Sequence, residues 1–166
     1  MNQAENPCPG FYVPGQYRPE QSVGYLMKRV LSSVLAQADE RLASLDLTHA
    51  QWLPLFKLAV KDCHTVAALA REVELDPGAM TRSLDRLEAK GLVRRERSTE
   101  DRRVVNLVLT DEGRAAAMKV PPVMAEVLNN HLKGFTEAEW QQLVSLLTRM
   151  VANGEAMQQS STSSSS

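Results

Sequence analysis

Residues 76–110, DPGAMTRSLDRLEAKGLVRRERSTEDRRVVNLVLT, carry a helix, a hairpin with a basic tip and a set of apolar anchors in one span. Asp76 has the side chain of an N-cap, and Pro77 suits the first helical position, where its missing N–H is no loss and its φ is pre-set. The helix runs to Lys90, and Gly91 is a natural stop. Within it Met80, Leu84 and Leu87 share one face, while Thr81, Arg82, Asp85 and Arg86 lie away from that stripe. Beyond Gly91, residues 92–97 and 104–109 read as two strands joined by the loop 98–103, with Val105, Leu107 and Leu109 alternating against Val104, Asn106 and Val108.

Upstream, His64 or Thr65 opens a short helix with Val66, Leu69, Ala70 and Val73 as its apolar stripe, and Leu75 lies in the turn that follows. Two helices joined by a tight turn, the second polar on its outer face and followed by a hairpin, form the winged helix-turn-helix pattern. Charge is concentrated in the same place. Residues 82–103 hold eight Lys or Arg and five Asp or Glu, a net of +3, leaving eleven basic and fifteen acidic residues, a net of −4, elsewhere. A phosphate backbone attracts such a local concentration, whereas an overall charge of −1 excludes a protein that coats nucleic acid by bulk charge.

An exposed helix of this kind fits the major groove of DNA, where Gly78, Ala79, Thr81, Arg82 and Arg86 are placed to approach base edges and phosphates. Arg82 is the candidate for base contact and Arg86 lies nearer the phosphates. Arg102 and Arg103 at the hairpin tip suit a narrow minor groove, and Asp101 is expected to orient the tip by pairing with Arg94, Arg95 or a neighbouring arginine. The competing interpretation is a solvated, salt-bridged helix beside a structural hairpin. That interpretation accounts for any single arginine but not for cap, proline, helix stop, hairpin and basic tip in this order.

The flanks are helical. Leu26, Val30, Leu31, Val34, Leu35 and Leu42 recur at helical steps from a cap at Ser22 to about Ser44. Thr48 and Gln51 form a capping-box pattern for a second helix carrying Trp52, Leu55, Phe56 and Val60, with Pro54 in or just after its first turn. Thr110 caps a further helix, which Pro121 and Pro122 should kink or split near Val120. Thr136 with Glu139 opens a last helix with Trp140, Leu143, Leu146, Leu147, Met150 and Val151 as its stripe. The expected fold is therefore mainly α with a small β-hairpin wing. Residues 1–21 read as a flexible arm, residues 22–157 as one domain with residues 48–110 as its winged helix-turn-helix, and residues 158–166, QQSSTSSSS, as a disordered tail.

Cys8 and Cys63 are far apart, no apolar run reaches the roughly 20 residues of a membrane span, and the polar, proline-broken start does not read as a secretory signal. A reducing cytoplasmic location is expected. The sequence has no glycine-rich phosphate loop, nucleophile elbow or paired-histidine zinc motif, so an enzyme is not expected. Cys63 beside His64, with His49 and His131 elsewhere, lacks metal-ligand spacing, and no cofactor or metal is expected.

The run from Thr65 to Thr110 closely resembles the winged helix of MarR-type transcription regulators, down to D-R-R at Asp101, Arg102 and Arg103 and L-T-D-E-G at Leu109 to Gly113. The likeness extends more loosely over Val23 to about Val151 and includes L-T-H-A-Q-W at Leu47 to Trp52, where such proteins commonly carry L-T-x-x-Q-W. The proline-rich arm and serine tail are not family features. The resemblance implies a homodimer in which the first and last helices, residues 22–46 and 111–157, interlock with those of a second chain. The length and apolar spacing of those helices point the same way. A two-fold dimer implies a pseudo-palindromic DNA operator with half-sites about 10 bp apart, and repression where that site overlaps a promoter.

The resemblance also implies a small aromatic or phenolic acid as effector. Tyr25, Arg29, Trp52 and Phe56 offer aromatic walls and one cation for a carboxylate, although Trp52 and Phe56 also lie at core spacing; Arg18 and His49 are weaker alternatives. Two other readings remain: a redox-responsive regulator using Cys8 or Cys63, and a winged-helix module that docks an acidic protein.

Overall fold

In a computed structural model that describes residues 10–61, 64–97 and 104–163, Ser22 opens the first helix, α1 (Val23–Arg41), by accepting the Tyr25 N–H at 3.2 Å. The helix ends at Arg41, short of the expected Ser44, because the chain tightens into a 3-10 turn, Ala43–Leu45. That turn closes on Asp46, in the left-handed region at φ 52°. Helix α2 (His49–Val60) follows, and the Thr48 N–H donates to Gln51 Oε1 at 3.2 Å, the reciprocal bond of a capping box. Pro54 is the sixth residue of α2, just past its first turn, so it leaves the Ala50 carbonyl without the N–H that would normally meet it. The Ser83 hydroxyl, from a helix 33 positions on, donates to that carbonyl instead.

Thr65 caps α3 (Val66–Glu72) by accepting the Ala68 N–H, and Asp76 caps α4 (Pro77–Ala89) by accepting the Ala79 N–H at 3.0 Å. Both helices end in the same six-to-one closure. Leu75 N–H reaches the Ala70 carbonyl around Glu74 at φ 53°, and Leu92 N–H reaches the Leu87 carbonyl around Gly91 at φ 70°. Glycine serves that left-handed position at the end of α4, but a glutamate occupies it in the turn between the two helices.

Strands β1 (Val93–Arg97) and β2 (Val105–Leu109) pair antiparallel, with Val93 opposite Leu109 and Arg97 opposite Val105. Strand β2 also meets the segment before α3: Thr65 bridges Asn106, and the Leu107 N–H donates to the His64 carbonyl at 2.6 Å. The hairpin is thus stitched to the start of the helix-turn-helix. Thr110 then caps α5 (Asp111–Ala117) while its hydroxyl donates to the Gly91 carbonyl at 2.8 Å. This brings α5 so close to the hairpin base that a Cβ on Gly113 would lie 1.9 Å from the Leu92 carbonyl oxygen. The glycine of L-T-D-E-G is a steric necessity.

The core of this region joins Leu42, Leu47, Trp52 and Leu55 to Leu69, Met80, Leu84, Leu87, Val93, Leu107, Ala117 and Val120, all buried. Each large side chain so buried contributes roughly 1.5–3 kcal/mol. Pro121 and Pro122 occupy the start of α6 (Val120–His131), where their missing N–H groups are harmless, so the chain breaks between α5 and α6 instead of kinking. Helix α7 (Glu137–Ser163) opens on Thr136, whose N–H donates to Glu139 Oε2 at 2.8 Å.

Two differences from the sequence reading lie near the ends. Residues 10–21, read as part of a flexible arm, form two 3-10 turns, and the Tyr12 hydroxyl accepts the Val23 N–H at 2.9 Å. The tail expected to be disordered from residue 158 continues α7 to Ser163, since extending an established helix costs far less than nucleating one. The chain divides into two compact units, Met1–Met124 and Ala125–Ser166. Among the described residues, no helix is long and apolar enough to cross a membrane. The fold is a mainly helical winged helix-turn-helix.

Candidate nucleic-acid interface

Helix α4 is anchored by one face and displayed by the other. Met80, Leu84 and Leu87 are buried together with the Ser83 hydroxyl, while Gly78, Thr81, Arg82 and Arg86 are exposed and Ala79 is partly so. A Cβ on Gly78 would come 3.0 Å from the Asp76 carboxylate oxygen that caps the helix, so the glycine keeps both the cap and the approach to the helix start open. Thr81 donates its hydroxyl to the Pro77 carbonyl at 2.9 Å, which leaves its methyl and oxygen lone pairs outward. Among the described residues neither Arg82 nor Arg86 has an ion-pair partner, so both cations are uncommitted.

The hairpin is clamped to α4 by one side chain. Arg95 Nη2 lies 2.7 Å from Asp85 Oδ1, Arg95 Nη1 donates to Glu88 Oε2 at 2.6 Å, and the Arg95 backbone N–H donates to Glu88 Oε1 at 3.1 Å. Burial works against the guanidinium charge, but the carboxylates of Asp85 and Glu88 override it and raise its pKa above the ordinary value. Arg95 therefore ties β1 to α4. The turn at Gly91 folds β1 back along α4, and a pairing of residues on either side of that glycine was the signal available in the sequence. Arg94 is exposed and pairs with Glu96 at 3.3 Å. Asp101, Arg102 and Arg103 lie outside the described residues, as do Cys8 and Cys63.

The four effector candidates are not alike. Trp52 belongs to the core; its indole N–H donates to Asp39 Oδ1 at 2.8 Å, and the His49 ring meets it edge-on with centroids 4.9 Å apart. Phe56 is partly buried against the same core, whereas Tyr25 and Arg29 are exposed on α1, and Arg18 is exposed before it. Burial holds the half-buried His49 imidazole below its ordinary pKa, with Asp39 pulling in the opposite direction. His131 Nδ1 lies 2.7 Å from the Val127 carbonyl, and no three His, Cys, Asp or Glu among the described residues are grouped to hold a metal.

A sequence model of the MarR family matches residues 47–105. Among solved structures, the chain is similar to the transcriptional regulator PA3341, with 35% identity over 81% of this chain and 99% of that one and a TM-score of 0.73. It is similar to MarR from E. coli at 31% identity, covering 78% of this chain and 96% of that one, with a TM-score of 0.68. It is also similar to BpsR from Bordetella bronchiseptica, whose DNA binding is regulated by 6-hydroxynicotinic acid, at 25% identity over 81% and 96% of the two chains and a TM-score of 0.72.

Proposed function

The chain belongs to the MarR family of transcriptional regulators, a family of regulators rather than enzymes, and on that premise we propose that it is a homodimeric, sequence-specific DNA-binding repressor. It leaves a pseudo-palindromic operator when a small aromatic or phenolic acid binds. The observation that carries this reading is the outer face of α4, where Arg82 and Arg86 stand exposed, without an ion-pair partner among the described residues, on a helix whose opposite face is locked into the core. Arg82 reads a base edge in the major groove, Arg86 meets phosphate, and Gly78, Ala79 and Thr81 allow close approach. Arg95 sets the angle of the wing, from whose tip Arg102 and Arg103 reach the neighbouring minor groove.

Dimerisation draws on residues 22–46 and 111–157. Val23, Leu26, Met27, Val30 and Leu31 on α1 are exposed, as are Trp140, Leu143, Val144, Met150 and Val151 on α7, more apolar surface than a solitary chain normally leaves in water. The regulation of BpsR by a heteroaromatic acid supports the effector class. On this chain Arg29 supplies the cation and Tyr25 and Phe56 the aromatic walls, while Trp52 shapes the site from the core.

Selection of bound fragments from a genomic library, repeated with added aromatic acids, tests the proposal. A recurrent pseudo-palindrome bound by a dimer and released by one such acid is the expected outcome. Binding to acidic proteins with no enrichment of any DNA sequence would replace it with the interaction-module reading.

A further inference from the structure

Ser83 on α4 and Lys90, the residue that caps its C-terminus, are seven positions apart, close to two full turns, so their side chains leave the helix on nearly the same side about 10 Å apart. Both end on the corner between α1 and α2. Ser83, buried, donates to the Ala50 carbonyl freed by Pro54, and Lys90 donates to the Asp46 carbonyl while its ammonium lies 2.9 Å from Asp46 Oδ2. Asp46 is the left-handed residue that closes the 3-10 turn after α1, so its carbonyl is held by the turn and not by a mobile side chain.

We propose that Ser83 and Lys90 are positioning residues that fix the pose of α4 on the α1–α2 corner and thereby set the half-site spacing the protein selects. The inference rests on the DNA-binding dimer proposed above. Apolar burial through Met80, Leu84 and Leu87 is non-directional and tolerates a small slide or rotation of α4. One hydrogen bond would still leave a pivot, and a second, two turns away, removes it. In a two-fold dimer the separation of the two reading helices follows from the pose of each on its own α1–α2 corner, so a looser pose means a wider range of accepted spacings.

The test uses the full-length protein and operators whose half-sites are moved apart or together by one or two base pairs, with Lys90→Met to keep the aliphatic stem and remove the donor. Wild type should lose roughly tenfold in affinity per base pair of misplacement, comparable to a mismatched base pair. Lys90→Met should reduce that loss to about threefold or less at an unchanged melting temperature, and Lys90→Arg should restore it. Ser83→Ala, examined at a temperature where it stays folded, should flatten the same profile. A Lys90→Met protein with the wild-type spacing profile, or one weakened equally at every spacing, would overturn the inference. A wild-type protein that is monomeric or indifferent to DNA would instead remove the reading on which it rests.

Discussion

Pro54 and Ser83 complete one another: the proline removes the N–H that would meet the Ala50 carbonyl inside α2, and the serine hydroxyl of α4 fills the vacancy. Ser83→Ala should therefore cost about 1 kcal/mol, the usual net contribution of one hydrogen bond, because it removes the donor that meets the Ala50 carbonyl. In a Pro54→Ala background, where residue 54 regains its N–H, the same substitution should cost clearly less. Denaturant unfolding of the four proteins in this cycle measures the coupling, and strictly additive effects would show that the two residues act independently.

Gly113→Ala should be among the most damaging single-methyl changes in the chain, because the added Cβ would lie 1.9 Å from the Leu92 carbonyl oxygen and both partners are backbone. A loss of at least about 2 kcal/mol is expected from the forced separation of α5 and the hairpin base. Thermal unfolding within a degree of wild type would contradict that close approach.

Glu74→Gly should act in the opposite direction. Glu74 is held at φ 53° in the closing turn of α3, a region unfavourable to residues with a Cβ. Glycine at that position should raise stability by about 0.5–1 kcal/mol after allowing for its greater freedom in the unfolded chain. An unchanged or lowered unfolding midpoint would show that the glutamate side chain offsets the strain.

His49 gives the α1–α2 packing a pH dependence. Its folded-state pKa is depressed by burial, so the unfolded chain takes up the proton first. Stability is intact above the ordinary histidine value of about 6.5 and declines as pH falls below it, until the folded protein is protonated too. A proton-resolved titration of His49 should give a midpoint below 6.5, and His49→Phe should remove this part of the acid sensitivity. A midpoint above 6.5 would mean that Asp39 outweighs burial.

What could be read from the sequence was local. Asp76, Pro77, Gly91 and the Met80, Leu84 and Leu87 stripe each declare their role within one helical element, and the structure has them in those roles. The roles of Ser83, Arg95 and Trp52 depend on residues brought near by folding. Ser83 meets a carbonyl 33 positions away, Arg95 meets two acids across a turn, and the Trp52 indole meets Asp39 on the preceding helix. Aromatic residues at helical spacing look the same in sequence whether they line a cavity or fill a core, so the core contacts of Trp52 emerge only once the helices are packed.

Sequence-specific DNA binding is tested most directly by titrating the selected operator and a scrambled duplex of equal length, across a range of salt concentrations, with wild type and Arg82→Ala. Wild type should prefer the operator, with log affinity falling by about 0.9 per phosphate contacted for each tenfold rise in salt. Arg82→Ala should lose the equivalent of about 1–3 kcal/mol on the operator and relax its preference at one base position, with the salt slope nearly unchanged. Equal affinity of wild type for the two duplexes, or operator binding indifferent to salt, would contradict it.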